Sequence, residues 1–442
     1  MRGSGFMKWI VLVLIIACAA AMLSGCVKKY RGKDGPVSVI GEPETDDDTV
    51  VSEEEKEVTE EAGTVQDTKA LKDAVNTFNW NYFDNADIKE NMFYSPYSLE
   101  RALAVAAYGA GGQNAEQMKK VLNIKDMDMF LNDCGALLSG YGNENGKFMV
   151  ADSLWIDKTF NEDPGINEDY VRALKEKVNA EVKIGDFAGD PEGVAKEITK
   201  WVSEKTDGLI SDYSPIANDK TVMDILNAVY FSGEWEHQFM KEDTFEGDFN
   251  GTETGKAEMM SMMNESFRYY EDDIFKGIEL PYKNSSMVMD IVLPVSANDI
   301  GAGEEWKGLT TAEKEAFIDN ISDADMTEVT YLQIPKFSAD ITAQGLKETL
   351  KAMGMEDAFD PGKADFSGIA KNLYVSDIAH RAKIEVDEEG SRAAAVTEME
   401  MAVTAIAPVE DPIEFICDHP FVYVIRDSDT GVILFTGLVN SL

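Results

Sequence analysis

The segment that begins at Glu388-Glu389-Gly390 constrains the fold most, because it has the pattern of a β-strand without the composition of one. From Ser391 onward every second residue is small or apolar, and this face comprises Ser391, Ala393, Ala395, Thr397, Met399, Met401 and Val403. Side chains two residues apart share one face of a strand, so the pattern indicates a strand with one uncharged face. Bulky β-branched residues are scarce, however, and Pro408 and Pro412 follow. Helix propensity alone favours a short surface helix around Ala393-Ala394-Ala395.

Predicted strands on both sides decide between these two interpretations. Residues 373–387 have the pattern of a strand that leads directly into the segment. Residues 418–427 and 432–440 are two apolar strands around a turn at Thr430-Gly431. We therefore interpret the segment as an exposed loop that can later join a sheet as a β-strand.

Several further motifs occur in order along the chain, at residues 91–99, 102–104, 109–118, 226–235, 334–337, 346–355 and 364–368. Together with the loop they extend from about Lys69 to Asn440 and resemble the serpin family. The resemblance implies an α+β fold with a large central mixed β-sheet, additional sheets and a cluster of helices. It also implies an exposed reactive-centre loop at about residues 388–412.

A protease inhibitor that acts as a suicide substrate is the function that this resemblance implies. The target serine protease cuts the loop and forms an acyl-enzyme, and residues 391–403 then enter the sheet as a new strand before deacylation is complete. The corresponding hinge residues are Glu388, Glu389, Gly390, Ser391, Ala393, Ala394 and Ala395. The inward face carries neither charge nor proline, which favours an inhibitor. The alternative is a non-inhibitory binding or chaperone-like surface lipoprotein of the same fold.

The reactive bond of the family falls about fourteen residues after the hinge glycine, which gives Thr404-Ala405 here. The loop is a few residues longer than usual on the far side, so cleavage at Met401, Ala402 or Val403 remains an alternative. No Arg, Lys or aromatic residue occupies this position. Small and β-branched residues suit elastase-like or subtilisin-like pockets, so we expect such proteases as partners.

The resemblance also assigns positions beneath the loop. Ser95, Ser98, Asn227 and His380 correspond to the shutter, a buried hydrogen-bonded network beneath the point where the sheet opens. Trp235 corresponds to the breach, where the loop enters the sheet. A satisfied core histidine is the simplest interpretation of His380, and it agrees with membership of such a network.

The N-terminus has the features of a bacterial lipoprotein signal. An apolar run at residues 9–22 is too short for a comfortable membrane span and typical of a signal peptide. Leu23-Ser24-Gly25-Cys26 then resembles a lipobox, which implies lipidation of Cys26. A plain secretory signal with an incidental cysteine is the alternative. We expect a signal peptide at residues 1–26 and a secreted protein anchored to a membrane, at the cell surface or elsewhere outside the cytoplasm.

Acidic residues dominate the rest of the chain. Residues 42–61 contain eleven acidic residues and one lysine, a composition that keeps a segment extended. We therefore expect an acidic disordered stalk at residues 27–66 and the serpin domain at residues 67–442. Of the net charge of −42, residues 62–442 carry −37, which disfavours nucleic acid and anionic lipid surfaces as partners. We expect a monomer.

The residue inventory disfavours an enzyme. The chain has three histidines and lacks an HExxH motif, a phosphate-binding glycine loop, a CxxC pair and a Gly-x-Ser-x-Gly motif. We expect no catalytic residues, no metal and no cofactor, because the target protease supplies the chemistry. Cys134 and Cys417 are expected to be free thiols, since a domain of this length buries its own core without disulfides.

Overall fold

The computed structural model describes residues 64–141, 146–161, 164–211, 213–215, 217–252, 254–295, 301–342, 345–391 and 412–442. Within these ranges the helices are α1 (Thr68–Asn85), α2 (Pro96–Tyr108), α3 (Gly112–Val121), α4 (Met127–Ser139), α5 (Glu168–Val178), α6 (Pro191–Lys205), α7 (Ala302–Gly308), α8 (Thr311–Asp323) and α9 (Leu346–Met353). Across these same ranges, helices long and apolar enough to span a membrane are absent.

The strands of the described residues form two sheets. They are β1 (Met92–Tyr94), β2 (Gly146–Asp157), β3 (Glu181–Gly185), β4 (Met223–Glu234), β5 (Phe245–Asn250), β6 (Thr254–Glu271), β7 (Phe275–Pro281), β8 (Met287–Pro294), β9 (Met326–Pro335), β10 (Phe337–Thr342), β11 (Val375–Val386), β12 (Gly390–Ser391), β13 (Glu414–Ile416), β14 (Phe421–Asp427) and β15 (Ile433–Val439). One sheet has the order β10-β11-β12-β4-β2-β3. The other runs β1-β15-β14-β8-β7-β6-β9-β13, with β5 paired to β6.

The six-stranded sheet is mixed, and its centre is the parallel pair of β4 and β11. Strand β4 is buried on both faces, because α2 packs on one side and α6 on the other. The α6 side is an apolar layer in which Leu226 and Ala228 of β4 cluster with Ile198 and Trp201 of α6. This architecture confirms the α+β fold with a large mixed sheet.

Helix α2 is the element that joins the two sheets, since it contacts β2, β4 and β15. Ser95 caps its N-terminus by accepting a hydrogen bond from the backbone N–H of Ser98, and Pro96 occupies the first helical position. All residues from Pro96 to Ala107 are buried. The capping residue of this buried helix is itself buried and lies against β11 of the mixed sheet.

Both cysteines of the domain are buried and free, as predicted. Cys134 lies in α4, and Cys417 directly follows β13. Burial raises the pKa of both thiols, which keeps them protonated and poorly reactive. Among the residues that the structure describes, there is no group of three or more His, Cys, Asp or Glu side chains that could hold a metal ion.

Candidate functional site

The site lies along the pair of strands β4 and β11, which we call the seam. At the C-terminal ends of these two strands, the two-residue strand β12 separates them and runs antiparallel to both. Gly390 pairs with Glu234, and Ser391 pairs with Gly233 on β4 and Val386 on β11. The hinge has therefore already entered the sheet by two residues.

Two aromatic side chains hold β12 in place. The ring of Trp235 stacks on Tyr282 with centroids 4.6 Å apart, and the Tyr282 hydroxyl hydrogen-bonds the Ser391 hydroxyl at 2.7 Å. The Trp235 indole N–H donates to the carbonyl oxygen of Asp387 at 3.0 Å. The backbone N–H of Trp235 donates to the carbonyl oxygen of Glu389 at 2.9 Å. Trp235, the residue predicted for the breach, thus contacts the residues that directly precede β12.

The two hinge glutamates are bound to the body of the protein. The carboxylate of Glu388 accepts a hydrogen bond from Thr244 at 2.8 Å and lies 3.3 Å from the Lys336 ammonium group. That of Glu389 accepts from Lys241 at 2.8 Å. Burial opposes ionisation of Glu388, but its bonds to the backbone, Thr244 and Lys336 outweigh burial and lower its pKa.

Gly390 is required by the close approach of two backbones. A Cβ atom at this position would lie 2.0 Å from the carbonyl oxygen of Gly233, and its φ is +156°. The preceding turn is closed by Asp387, whose carboxylate accepts hydrogen bonds from the backbone N–H groups of Glu389 and Gly390 at 2.9 and 3.2 Å. A glycine here lets the chain reverse into the sheet.

The hinge differs in one respect from the expectation that an exposed loop begins at residue 388. Glu388, Glu389 and Ser391 are all buried. The contacts that Trp235 and Tyr282 make with the hinge explain this burial. Both residues are far from the hinge in sequence, so the sequence does not predict these contacts. The predicted hinge residues Ala393, Ala394 and Ala395 and the predicted reactive bond Thr404-Ala405 lie outside the described residues, as does Cys26.

The four predicted shutter residues meet beneath the seam and are all buried. The side chain of His380 on β11 bridges to Asn227 on β4, with His380 Nδ1 2.5 Å from Asn227 Oδ1. The Ser98 hydroxyl donates to the same oxygen at 2.9 Å. On the other side of the ring, the backbone N–H of Ser95 donates to His380 Nε2 at 2.9 Å. One network therefore ties α2 to both strands of the seam.

These bonds fix the protonation state of His380. Since Nε2 accepts from a backbone N–H, the ring proton must be on Nδ1, where it is donated to Asn227. A second proton would break the bond to Ser95. Complete burial accordingly lowers the pKa of His380 to about 3.

We expect His380 to destabilise the protein in acid. Its folded pKa lies below the unfolded value of 6.5, so the unfolded chain binds more protons, and stability falls as the pH drops from about 6.5 towards 3. The slope is at most ~1.4 kcal/mol per pH unit. Thermal unfolding midpoints measured across this range should fall less steeply for His380→Gln, whose amide can both donate and accept. Parallel curves would show that His380 does not set the acid limit.

The network extends to residues that the sequence did not single out. Asn227 donates to Asp152 Oδ1 on β2 at 2.6 Å, and Asp152 Oδ2 lies 2.7 Å from Arg101 Nε on α2. Arg101 also donates to the carbonyl oxygen of Val178 at 2.9 Å, at the end of α5. Nothing in the sequence around Asp152 distinguishes it from other acidic residues. The sequence also does not predict the role of Tyr282, because its hydrogen-bond partner Ser391 is 109 positions away.

A seam of this kind can bind a strand. Strands β4 and β11 are parallel, and a segment that runs antiparallel to both would extend the pairing that β12 has begun. A strand that entered between β4 and β11 would have to separate His380 from Asn227. The backbone groups of β4 and β11 beside β12 are therefore arranged to pair with an antiparallel strand.

Known proteins are similar to this chain in sequence and in fold. Residues 73–442 match the family model described as Serpin (serine protease inhibitor). An uncharacterised serpin-like protein of Thermococcus kodakarensis is 34% identical over 376 residues, which are 84% of this chain and 85% of the relative. A leukocyte elastase inhibitor of Xenopus laevis is 34% identical over 364 residues, 79% of this chain and 93% of the relative.

The similarity extends to solved structures. The native state of tengpin, a thermophilic serpin, superimposes with a TM-score of 0.74 at 30% identity, covering 85% of this chain and 95% of that chain. The family model covers the described helices and strands from most of α1 to the C-terminus, including the seam, the shutter and the hinge. The chain belongs to the serpin family.

Proposed function

We propose that this protein inhibits serine proteases by trapping them as covalent acyl-enzymes while its cleaved loop enters the seam. Serpins are generally inhibitors and not enzymes. The observation that carries the proposal is β12, which has begun the antiparallel pairing that the rest of the loop would continue. Cleavage at the far end of the loop would free the segment to complete that pairing.

The register of β12 predicts the neighbours of each inserted residue. Ser391 pairs with Gly233 and Val386, so Thr397, six residues further along the loop, would lie between Asn227 and His380, six residues back along each strand. A threonine hydroxyl both donates and accepts, so it can replace the bond that insertion breaks between these two side chains. The loop thus supplies the shutter with a substitute partner.

Burial of the inward face provides the driving force. Met399 would lie beside Ile225 and Ile378, both buried in the main core. Backbone hydrogen bonds of about 0.5–1.5 kcal/mol each scarcely exceed the cost of ordering the chain. Each buried Met or Val side chain adds roughly 1.5–3 kcal/mol, which favours the inserted form.

The proposed targets are elastase-like or subtilisin-like proteases. Thr404 would fill the primary specificity pocket of the protease, and the residues before it are small or β-branched. A relative named leukocyte elastase inhibitor agrees with this class of target. Non-inhibitory serpins exist, so a binding or chaperone-like function remains the second candidate. Charge-free inward residues at alternate positions from 391 to 403 favour the inhibitor.

Incubation of the purified protein with pancreatic elastase or subtilisin tests the proposal. We expect a species at the summed mass that survives denaturing electrophoresis, with the protease serine bonded to Thr404. N-terminal sequencing of the released peptide identifies the bond, since it should begin at Ala405. Cleavage of the loop by several such proteases with no covalent species at any ratio would favour the binding function.

We further propose that Cys26 carries a lipid that anchors the protein outside the cytoplasm, with residues 27–66 as a stalk. The lipobox-like sequence at residues 23–26 supports this anchor. Cys26→Ser should move the protein from the membrane fraction to the soluble fraction and leave inhibition unchanged. Fractionation of cells that produce the two forms measures this. Retention of Cys26→Ser in the membrane fraction would contradict a lipid anchor.

A further inference from the structure

A cleft lies between the N-terminal halves of α1 and α4. Its volume is about 340 Å³. This is at the lower end of the range of about 300–1,000 Å³ that is typical of small-molecule sites. Both helices begin at the cleft, since α1 follows Asp67 and α4 follows Asp126. The residues that line it belong neither to the seam nor to the shutter or the hinge.

The floor of the cleft is apolar. It consists of Leu71 and Ala74 on α1, Ile124 on the segment between α3 and α4, and Phe130 on α4. At most 5% of the surface of each of these residues is exposed. An occupant that covers the floor would remove this remaining apolar surface from water, which favours binding of a ligand with an apolar body.

The rim of the cleft is acidic and consists of Asp67, Asp126 and Asp133. Asp67 and Asp126 are exposed, and each caps its helix by accepting the backbone N–H three residues further on, at 2.9 and 3.0 Å. The two carboxylate oxygens of Asp133 accept the backbone N–H groups of Gln66 and Asp67 at 2.7 and 3.1 Å. In the part of the chain that the structure describes, none of these three carboxylates has an ion-pair partner.

The two lysines of the cleft do not neutralise the rim. Lys69 forms an ion pair with Asp73, the fourth aspartate of the lining, at 2.6 Å. Lys125 is exposed and takes part in no ion pair with the described residues. The N-terminus of each helix contributes only about half a positive charge, whereas its capping carboxylate carries a full negative charge. The cleft therefore has an excess of negative charge around an apolar floor.

We propose that this cleft binds small organic cations, with the charged nitrogen at the rim and an apolar body against Leu71 and Phe130. A primary ammonium group suits the rim because it donates up to three hydrogen bonds, and the capping carboxylates have lone pairs that the helices do not use. The acidic residues 42–61 of the chain itself have the wrong sign of charge for this place. The site goes beyond the proposed inhibition and does not depend on it.

Binding of 3-phenylpropylamine, which has an apolar ring and one ammonium group, tests the proposal. Titrations of the purified protein followed by NMR give its dissociation constant and those of 3-phenylpropanol and 3-phenylpropionate, whose polar ends are neutral and negative. The amine should bind at least about fivefold more tightly than the alcohol, and 3-phenylpropionate more weakly than either. Added salt should weaken binding of the amine and leave that of the alcohol unchanged.

Matched capping variants separate the cleft from the general negative charge of the domain. Asp67→Asn and Asp126→Asn retain the helix caps, since asparagine caps as well as aspartate, but each removes one charge from the rim. Each should weaken binding of the amine about threefold to tenfold and leave that of the alcohol unchanged. Asp190 caps α6 in the same way, by accepting the backbone N–H of Gly193 at 2.9 Å, and lies outside the cleft. Asp190→Asn should therefore leave binding of the amine unchanged.

A further variant fills the cleft. Ala70 is half-buried in its wall, and Ala70→Leu adds an apolar side chain there that suits a helix. This variant should lose binding of the amine and the alcohol alike.

Four results would overturn the proposal. They are equal affinity for the amine and the alcohol, a preference for 3-phenylpropionate, equal losses in Asp126→Asn and Asp190→Asn, and no binding of the amine at millimolar concentrations. Because the titrations need no protease, a failure of the proposed inhibition would not change their outcome.

Discussion

Replacing Ser391 with arginine is expected to convert the inhibitor into a substrate. Ser391 is completely buried against Tyr282, so an arginine there would bring an unpaired cation into the sheet. Such burial costs about 3–5 kcal/mol, which lowers the rate of insertion by at least about 100-fold. Deacylation would then finish first. The stoichiometry of inhibition should rise accordingly, while the protease still cuts the same bond.

Two matched variants separate the mechanism from general damage. Ser391→Ala removes only the hydrogen bond to Tyr282 and should still inhibit, because alanine fits the buried position. Arg392→Gln alters the neighbouring residue, which in the proposed inserted form would lie on the outward face between Ser232 and Glu385, and should change little. Normal inhibition by Ser391→Arg would mean that trapping does not require residue 391 to be buried in the sheet.

Replacing Thr404 with arginine should redirect the inhibitor towards trypsin-like proteases. The specificity pocket of these enzymes carries a carboxylate that binds a long cation, whereas an elastase-like pocket is too small and apolar for one. We expect inhibition of trypsin to rise and that of elastase to fall, each by at least about 100-fold in the association rate constant. Rate constants for both proteases with wild type and variant measure the change.

The same substitution at Met401 and at Val403 provides the control. Met401 and Val403 are two of the alternative cleavage positions in this loop. Arginine at either position should not produce trypsin inhibition if Thr404 fills the specificity pocket. Efficient trypsin inhibition by Val403→Arg, with none by Thr404→Arg, would place the reactive bond one residue earlier.

The local pattern predicts one strand of the seam, β11, but not its contacts with β4. The sequence pattern of residues 373–387 predicts β11 (Val375–Val386) to within two residues. The family motifs also bring together Ser95, Ser98, Asn227 and His380, because each motif contributes one or two side chains to a buried network.

Burial of the hinge could not be predicted in this way. Sequence alone shows an acidic, glycine-containing segment, which is typical of an exposed loop. Its burial depends on Tyr282, Trp235 and Lys336, which reach it from distant parts of the chain. The pairing of Asp224 with Asp377 is likewise invisible in the sequence, since it depends on the register between β4 and β11.

Loop cleavage followed by heating tests the central claim most directly, because the claim is that the seam accepts the loop as a strand. The protein is cut once in the loop by a protease that does not remain bound, and the thermal midpoints of intact and cleaved forms are compared. We predict that the cleaved wild type unfolds more than about 10 °C above the intact form, because several apolar side chains become buried. Cleaved Ser391→Arg should gain little. Equal midpoints for intact and cleaved wild type would contradict insertion and favour the binding function.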